Sequence, residues 1–554
     1  MELKKYFTRN KAEGTKQIIK ILSELDKKVN KYINDEERPI LDGDIDSYKK
    51  IIENRHIPER VNDISTVLTE FSKMFKRSVL WENPGTLINI TPPANIVSVV
   101  TAFYASIYNP NFAQDESSGY LMTTELLVSK YLAEMVGWDV SKARGIFTFG
   151  GKGTNLYATK VGIKKAIPNV IEEGINSNEI LVFSNEKGHP CHKEICDWLG
   201  LGKNSCRRLS VDKNGQLNIY ELENQLRMCL EKNKKIACII LNGGTTNEII
   251  IDPIKKVVDL RDKLVKEYNL DYTPHIHVDA VIGWAWLFFK YYDYEKNNLN
   301  MNEEELKKIY SMKEKISQMY YADSFGADFH KTGFCPYISS VFMSKNFNDV
   351  TGLGNKIDKG INNIKFGEYS PFEYTLELTR SSIGPVSAYA AFETFGIEGF
   401  QTLLYNIFSN SEFIRKYLNK KPNFEVINME TEGIATLFII TPSGDNNSYN
   451  DYVCGPTERL SNLLDYNHKF YLFCLKMLEE KKVHFKITFS KSYKPFGLKK
   501  TTGALKIYPT SPIVTKDEIK KCLDEIIETK IRYDASKIEL KEDRDIPVDY
   551  VYRD

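Results

Sequence analysis

Between residues 145 and 343, short apolar runs alternate with longer amphipathic stretches, and that rhythm leaves few architectures open. Residues 145–149, 180–184, 236–241, 275–278 and 339–343 have the length and apolar content of buried strands. Between them, 156–166, 192–199 and 253–268 pattern as helices. The repetition of strand and helix predicts an α/β fold, with a mostly parallel central sheet flanked by helices on both faces, because a parallel strand is buried on both sides.

The flanks differ from this core. Up to about residue 83 the chain is rich in Lys, Glu and Asn, with Ile18, Ile19, Leu22 and Leu25 at helical spacing, which predicts helices without a core of their own. Pro84, Gly85, Pro92 and Pro93 break that pattern, and the apolar stretch 96–108 opens the main domain. Residues 291–321 interrupt the alternation with Met301-Asn-Glu-Glu-Glu-Leu-Lys-Lys, which patterns as an exposed helix and predicts a surface insertion. After Gly399, a helix at 412–418, strands at 434–441 and 486–489 and a charged helix near 518–530 predict a smaller α+β domain. The expected organisation is an N-terminal helical segment (1–90), a large α/β domain (91–399) and a small C-terminal domain (400–554), since 554 residues exceed what one core holds.

Charge narrows the partners. Lys and Arg total 75 against 74 Asp and Glu, so no basic field exists to recruit nucleic acid or anionic lipid, and neither is expected as a partner. The first ten residues lack the apolar stretch of a secretory signal and no window of about 18 apolar residues occurs, so a soluble, cytoplasmic protein is expected. The nine cysteines are scattered, with Cys191 and Cys196 the closest pair and no Cys-x-x-Cys, so neither a metal site nor a disulfide framework is expected.

Three features bear on chemistry. Phe149-Gly-Gly-Lys-Gly-Thr-Asn-Leu follows a predicted strand and opens a helix; its glycines let backbone N–H groups approach an anion and the helix start adds partial positive charge, which suits a phosphate, while tight packing alone also explains such a turn. Asp279, in His277-Val-Asp-Ala, ends an apolar strand, where its carboxylate either meets a ligand cation such as a protonated pyridine nitrogen or caps the next segment. Lys331 follows His330 in Ala322-Asp-Ser-Phe-Gly-Ala-Asp-Phe-His-Lys-Thr-Gly. Its amine is either an ordinary solvated group or a desolvated one whose lowered pKa favours an imine with an aldehyde. Taken together, a phosphate turn, a pyridine carboxylate and an imine lysine are the attachment points that pyridoxal phosphate requires.

Here the chain resembles the group II pyridoxal-phosphate decarboxylases, the family of aromatic amino-acid, glutamate and bacterial tyrosine decarboxylases. The likeness spans roughly residues 90 to 400 through Gly150-Gly-Lys-Gly-Thr-Asn, His189-Pro-Cys ending in Leu199-Gly200, Gly244-Thr-Thr with Asp252-Pro, His277-Val-Asp-Ala, and Ala322-Asp-Ser ending in His330-Lys331. His330-Lys-Thr-Gly-Phe-Cys-Pro-Tyr and Glu116-Ser-Ser are similar to segments of the bacterial tyrosine decarboxylases.

The resemblance implies the aspartate-aminotransferase fold (type I), a pyridoxal 5'-phosphate cofactor held on Lys331, and α-decarboxylation of an L-amino acid, aromatic such as tyrosine in the first instance. Decarboxylation of glutamate or aspartate, carbon–carbon lyase chemistry, and a cofactor-binding protein without turnover are the alternatives. It further implies that Asp279 keeps the pyridine nitrogen protonated and that His189 stacks on the ring, with His192 its rival. Thr246 would lie near the ring hydroxyl and Val281 against the opposite ring face. Gly151, Lys152, and His330 or Asp328 would hold the phosphate; Lys152 departs from the small or hydroxyl residue usual in the family. Arg380, in Leu376-Glu-Leu-Thr-Arg-Ser-Ser, would anchor a substrate carboxylate or serve structure. The acid that protonates the α-carbon would be Tyr369 in a glycine-bearing loop, with Tyr374 in reserve; without a tyrosine there, oxidative deamination to an aldehyde becomes the expected outcome. Family members are homodimers with the active site at the interface, and residues 1–83 suit a segment that wraps the partner.

Overall fold

The computed structural model, which describes residues 3–8, 12–33, 38–175, 180–495 and 500–536, contains two sheets. Strands β1 (Arg144–Thr148), β2 (Ile180–Asn185), β3 (Cys206–Leu209), β4 (Lys235–Asn242), β5 (His275–Asp279), β6 (Ser324–Asp328) and β7 (Ser340–Ser344) lie in the order β1-β7-β6-β5-β4-β2-β3. β2, β3, β4, β5 and β6 pair in parallel, while β7 runs antiparallel to both β1 and β6. The five predicted strands form within a residue or two of their expected limits. β3 and β6 were not predicted: β3 is a short edge strand reading Cys-Arg-Arg-Leu, and β6 reads Ser-Phe-Gly-Ala-Asp, with a single large apolar side chain.

Burial on both faces explains the long apolar runs, and it forces the polar residues on β5 to find partners within the protein. His275 Nε2 and His277 Nδ1 both meet Ser324 Oγ on the neighbouring strand, at 2.7 and 2.8 Å. Helices Gly151–Ala166 and Ile254–Glu267 pack on the sheet through the buried side chains Tyr157, Val161, Val257 and Leu264.

Residues 291–321 are not a surface insertion. Helix Glu303–Ser317 has an outer face of mixed charge, but Ile309, Met312 and Ile316 are fully buried in the main core with Trp286 and Phe288. Its Asn302 and Glu305 form a reciprocal capping box, which fixes where the helix begins.

The second sheet, β8 (Phe424–Val426), β9 (Thr436–Ile440), β10 (Thr488–Ser490) and β11 (Ala504–Ile507), is antiparallel in the order β10-β11-β9-β8. Helices Thr457–Glu479 and Lys516–Ala535 pack on it around Phe470, Phe473, Leu523 and Ile526. Helix Ile383–Leu418, bent where Gly396 takes φ +54°, joins the two cores. Ile40 and Leu87, from the N-terminal part, are buried in this smaller core. Helix Ala12–Val29, by contrast, buries only Gly14.

Candidate active site

The sheet topology gathers residues far apart in sequence at one edge. Asp279 pairs in register with Gly326, so the carboxyl ends of β5 and β6, Asp279 and Asp328, emerge side by side. Ser340, the first residue of β7, lies opposite both Asp328 and Thr148, which brings the turn after β1 to the same edge. Gly150, at φ +132°, makes that turn. A Cβ on Gly151 would stand 3.0 Å from Asp328 Oδ2 and 3.2 Å from Val281 Cγ1, so a side chain here would crowd both as helix Gly151–Ala166 starts.

Lys331, in the short turn after β6, sends its Nζ back to Asp328 Oδ2 at 3.0 Å. Asp328 is almost fully buried and also accepts a hydrogen bond from Ser340 Oγ at 2.5 Å. The lowered pKa expected for Lys331 is not found. Burial pushes the ammonium down, but Asp328, aided by Asp279, outweighs it and holds the group above its ordinary value.

Asp279 occupies a nest of imidazoles. His192 Nε2 lies 3.1 Å from Asp279 Oδ2, and Asn155 Nδ2 donates to the same oxygen at 3.0 Å. Oδ1 is buried and has no partner among the described residues. Burial pushes this carboxyl up, but the His192 hydrogen bond and the neighbouring histidines pull it well below the usual carboxylate range. Cys191, His192 and Asp279 offer donor atoms within 4.8 Å of one another, all buried.

His189 precedes helix Cys191–Trp198 and sits in a recess, hemmed in by protein yet exposed on its open side. The surrounding protein drives its pKa down to about 4, so the ring is neutral at pH 7. Its Nδ1 accepts the Cys191 N–H at 3.2 Å, which fixes the ring's orientation. The two candidate histidines thus separate: His189 faces open space and His192 lies behind the carboxylate.

At the glycine turn the Gly153 N–H is taken by Gly150 O at 2.8 Å, while the N–H groups of Gly151 and Lys152 ahead of it stand at the helix start, where they have no intrahelical acceptor and suit an anion. The Lys152 side chain is committed elsewhere, to an ion pair with Glu194, with its ammonium over the Trp198 ring at 5.8 Å. His330 Nε2 is 3.5 Å from Asp328 Oδ2, and its ring lies 4.2 Å from that of Tyr337. Thr246 is half-buried in the loop after β4, where its carbonyl accepts from the Tyr508 hydroxyl at 3.3 Å.

Tyr369, Tyr374 and Arg380 are not brought to this edge as cleft-lining groups. The Tyr369 hydroxyl faces Glu125 Oε1 at 3.5 Å in a packed cluster with Phe112, Met122 and Val386, and Tyr374 packs edge-on against Phe347. Arg380 is buried: one amino group donates to Phe112 O and Glu125 Oε1 at 3.0 and 3.1 Å, the other to Phe147 O at 3.2 Å and to Glu125 Oε2. Of its two readings, the structural one matches this geometry. Arg380→Leu, which leaves Glu125 charged and buried, is expected to cost about 3–5 kcal/mol of stability in urea unfolding, with KM little changed. A tenfold rise in KM at unchanged stability would instead make Arg380 a substrate anchor.

Sequence reasoning missed Asn155, Ser340 and Tyr337. Asn155 lies inside the Gly-Gly-Lys-Gly-Thr-Asn block, but only the packing of helix Gly151–Ala166 on the sheet brings it to Asp279, and Ser340 shows no motif because its partner Asp328 is set by strand register. Tyr337 was legible only as part of Cys335-Pro-Tyr; it is half-exposed, its hydroxyl 3.0 Å from that of Thr91, and its ring lies against that of His330, the residue before Lys331.

The sequence profile of the pyridoxal-dependent decarboxylase conserved domain matches residues 47–440. The chain belongs to this family. An aromatic-L-amino-acid decarboxylase of Bacillus atrophaeus is 25% identical over 388 residues, 69% of this chain and 72% of that protein. The acidic amino acid decarboxylase GADL1 of Xenopus tropicalis is 26% identical over 220 residues, but the match spans only 40% of this chain and 41% of that one. Two solved structures share the fold: apo mouse CSAD, at 16% identity with TM-score 0.75 over 93% of this chain and 99% of that one, and Oryza sativa TDC with PLP and tryptamine, at 13% identity with TM-score 0.74 over 95% and 99%.

Pyridoxal phosphate is therefore the cofactor and carboxy-lyase chemistry the activity. The residues at the strand edge fit that group. A buried carboxylate oxygen lacks a partner where a pyridinium N–H would supply one, a side-chain-free helix start offers N–H groups to a phosphate, and a neutral imidazole presents an open face. Among the described residues no helix is long and apolar enough to cross a membrane.

Proposed function

We propose that this enzyme removes carbon dioxide from the α-carbon of an aromatic L-amino acid such as tyrosine, with Lys331 as the cofactor lysine. The observation that carries the assignment of the site is the partnerless Oδ1 of Asp279, buried at the same strand edge as the Lys331–Asp328 pair. Bound there, pyridoxal phosphate would supply an electron-poor ring. Asp279 would hold the proton of the ring nitrogen, and His189 and Val281 would pack against the ring. Gly151 and the N–H of Lys152 would bind the phosphate, with His330 beside them. Thr246 would stand by the ring hydroxyl. Asp328 receives the Lys331 ammonium when the lysine is free. Tyr337, rather than the packed Tyr369, is the phenol on the lysine's side and is assigned to carry a proton to the α-carbon.

The aromatic preference is supported by the Bacillus relative, whose match covers more of this chain than that of the acidic relative. A homodimer is supported by helix Ile96–Tyr108, on which Ile96, Val100, Tyr104 and Tyr108 form an exposed stripe, one turn apart, beside an apolar groove of about 1170 Å³. Its active site is assigned to the interface, as in the family. A cytoplasmic setting is supported by nine cysteines, all free thiols and most of them buried.

Carbon dioxide release across a panel of L-amino acids, with the organic product identified, tests the reading. Tyrosine or another aromatic substrate giving amine and carbon dioxide in equal amounts is the expected result. Greater turnover of glutamate or aspartate overturns the substrate class. Aldehyde with hydrogen peroxide points to oxidative deamination, the outcome that the packed positions of Tyr369 and Tyr374 favour as the second reading.

A further inference from the structure

The cluster behind the ring-nitrogen carboxylate is more elaborate than one ion pair. His192 is fully buried on the first turn of helix Cys191–Trp198, and its Nε2 is 3.1 Å from Asp279 Oδ2. A carboxylate only accepts hydrogen bonds, so Nε2 carries the proton; a lone pair there would face Oδ2. Asn155 Nδ2, from helix Gly151–Ala166, reaches the same oxygen at 3.0 Å. Two donors on two separate helices therefore saturate Oδ2, and neither reaches Oδ1, which has no partner among the described residues.

We propose that His192 is a positioning residue that, together with Asn155, occupies Oδ2 of Asp279 and so reserves Oδ1 for the ring nitrogen of pyridoxal phosphate. This rests on Asp279 being the ring-nitrogen partner. The arrangement divides the two oxygens by role: one is held by the protein and the other is free for the cofactor. The hydrogen bond also keeps the carboxyl ionised against the burial that would otherwise protonate it, and a protonated Asp279 would no longer accept the ring N–H. His189, three residues earlier, makes no hydrogen bond to either oxygen of Asp279: its Nδ1 is engaged by the Cys191 N–H and its ring faces open space.

The test separates this role from plain packing. Dissociation constants of the apoenzyme are measured by absorbance titration for pyridoxal phosphate and for its carbocyclic analogue, in which C–H replaces the ring nitrogen. His192→Leu is expected to weaken pyridoxal phosphate about tenfold and the analogue less than about twofold. His192→Gln, which again places an N–H near Oδ2, is expected to recover most of the loss. Equal weakening of both ligands, or no weakening of either, overturns the proposal. Should His192→Leu fail to fold, Asn155→Leu provides the same comparison from the second donor. Asp279→Asn is run alongside: if it preserves the preference for pyridoxal phosphate over the analogue, the assignment of Asp279 itself fails. If Asp279→Asn abolishes that preference while His192→Leu leaves it intact, only the role of His192 is lost.

Discussion

Lys331→Ala is expected to remove the visible absorption band that the protein acquires with pyridoxal phosphate and to lower turnover by on the order of 10³-fold or more, because among the described residues no other lysine pairs with Asp328 and the nearby Lys152 is held by Glu194. The environment of the lysine adds a pH signature. An ammonium must lose its proton before the nitrogen attacks an aldehyde, and Asp328 at 3.0 Å holds Lys331 above its ordinary pKa. Below that raised pKa the neutral fraction grows about tenfold per pH unit, so the rate of cofactor capture by the apoenzyme is expected to climb steeply with pH. Asp328→Asn removes the counter-charge and is expected to move the same curve to lower pH. Stopped-flow absorbance on apoenzyme across pH 6 to 9 reads both effects. A band that persists in Lys331→Ala would place the cofactor on a different amine and end the assignment. A capture rate independent of pH would show that Asp328 does not govern the lysine.

The physical difference between local and long-range information decides what the sequence discloses. Strands β2 and β4 are legible because burial on both faces writes continuous apolar runs, such as Ile-Ala-Cys-Ile-Ile-Leu in β4. β6 hides because its small residues answer to a neighbour: a Cβ at Gly326 would collide with Thr154 on the helix above it. Helix Glu303–Ser317 displays its charges and conceals a buried face of Ile309, Met312 and Ile316 at the proper spacing, so the insertion reads as surface while serving the core. At the site, Lys331, Asp279 and Gly151 are local signals, each at a strand end or helix start. Spacing to Leu199-Gly200 favours His189 over His192, but what His192 does is not written there, since only the start of the helix at Cys191 sends one to open space and the other behind Asp279. The surroundings of Tyr369 and Arg380 are hidden for the opposite reason. Their common partner Glu125 lies 244 and 255 residues away in sequence, and nothing local announces that it exists. The raised pKa of Lys331 was likewise unreadable, because burial alone argues for the reverse and the deciding Asp328 contact is a matter of geometry.

Asp279→Asn probes the electronic half of the mechanism with the least change in shape. The new side chain keeps a carbonyl oxygen that accepts the His192 and Asn155 hydrogen bonds now made to Oδ2, which places its NH₂ group where Oδ1 stands. With pyridoxal phosphate bound as proposed, a donor would then face the ring nitrogen, and the variant would no longer hold the proton that makes the ring electron-poor. Turnover is expected to fall about 10²- to 10³-fold, the scale seen when one preorganised electrostatic partner of a transition state is removed, while the fold and the attachment at Lys331 survive. The electronic origin is separable from any loss of packing. A cofactor methylated at the ring nitrogen carries a fixed positive charge and does not need the aspartate, so it is expected to restore part of the activity of Asp279→Asn relative to ordinary pyridoxal phosphate. Single-turnover measurement of carbon dioxide release with both cofactors reads this directly. Turnover of the variant within about threefold of the parent would show that the buried carboxylate has no part in stabilising the departing charge, and the ring-nitrogen assignment would fall with it.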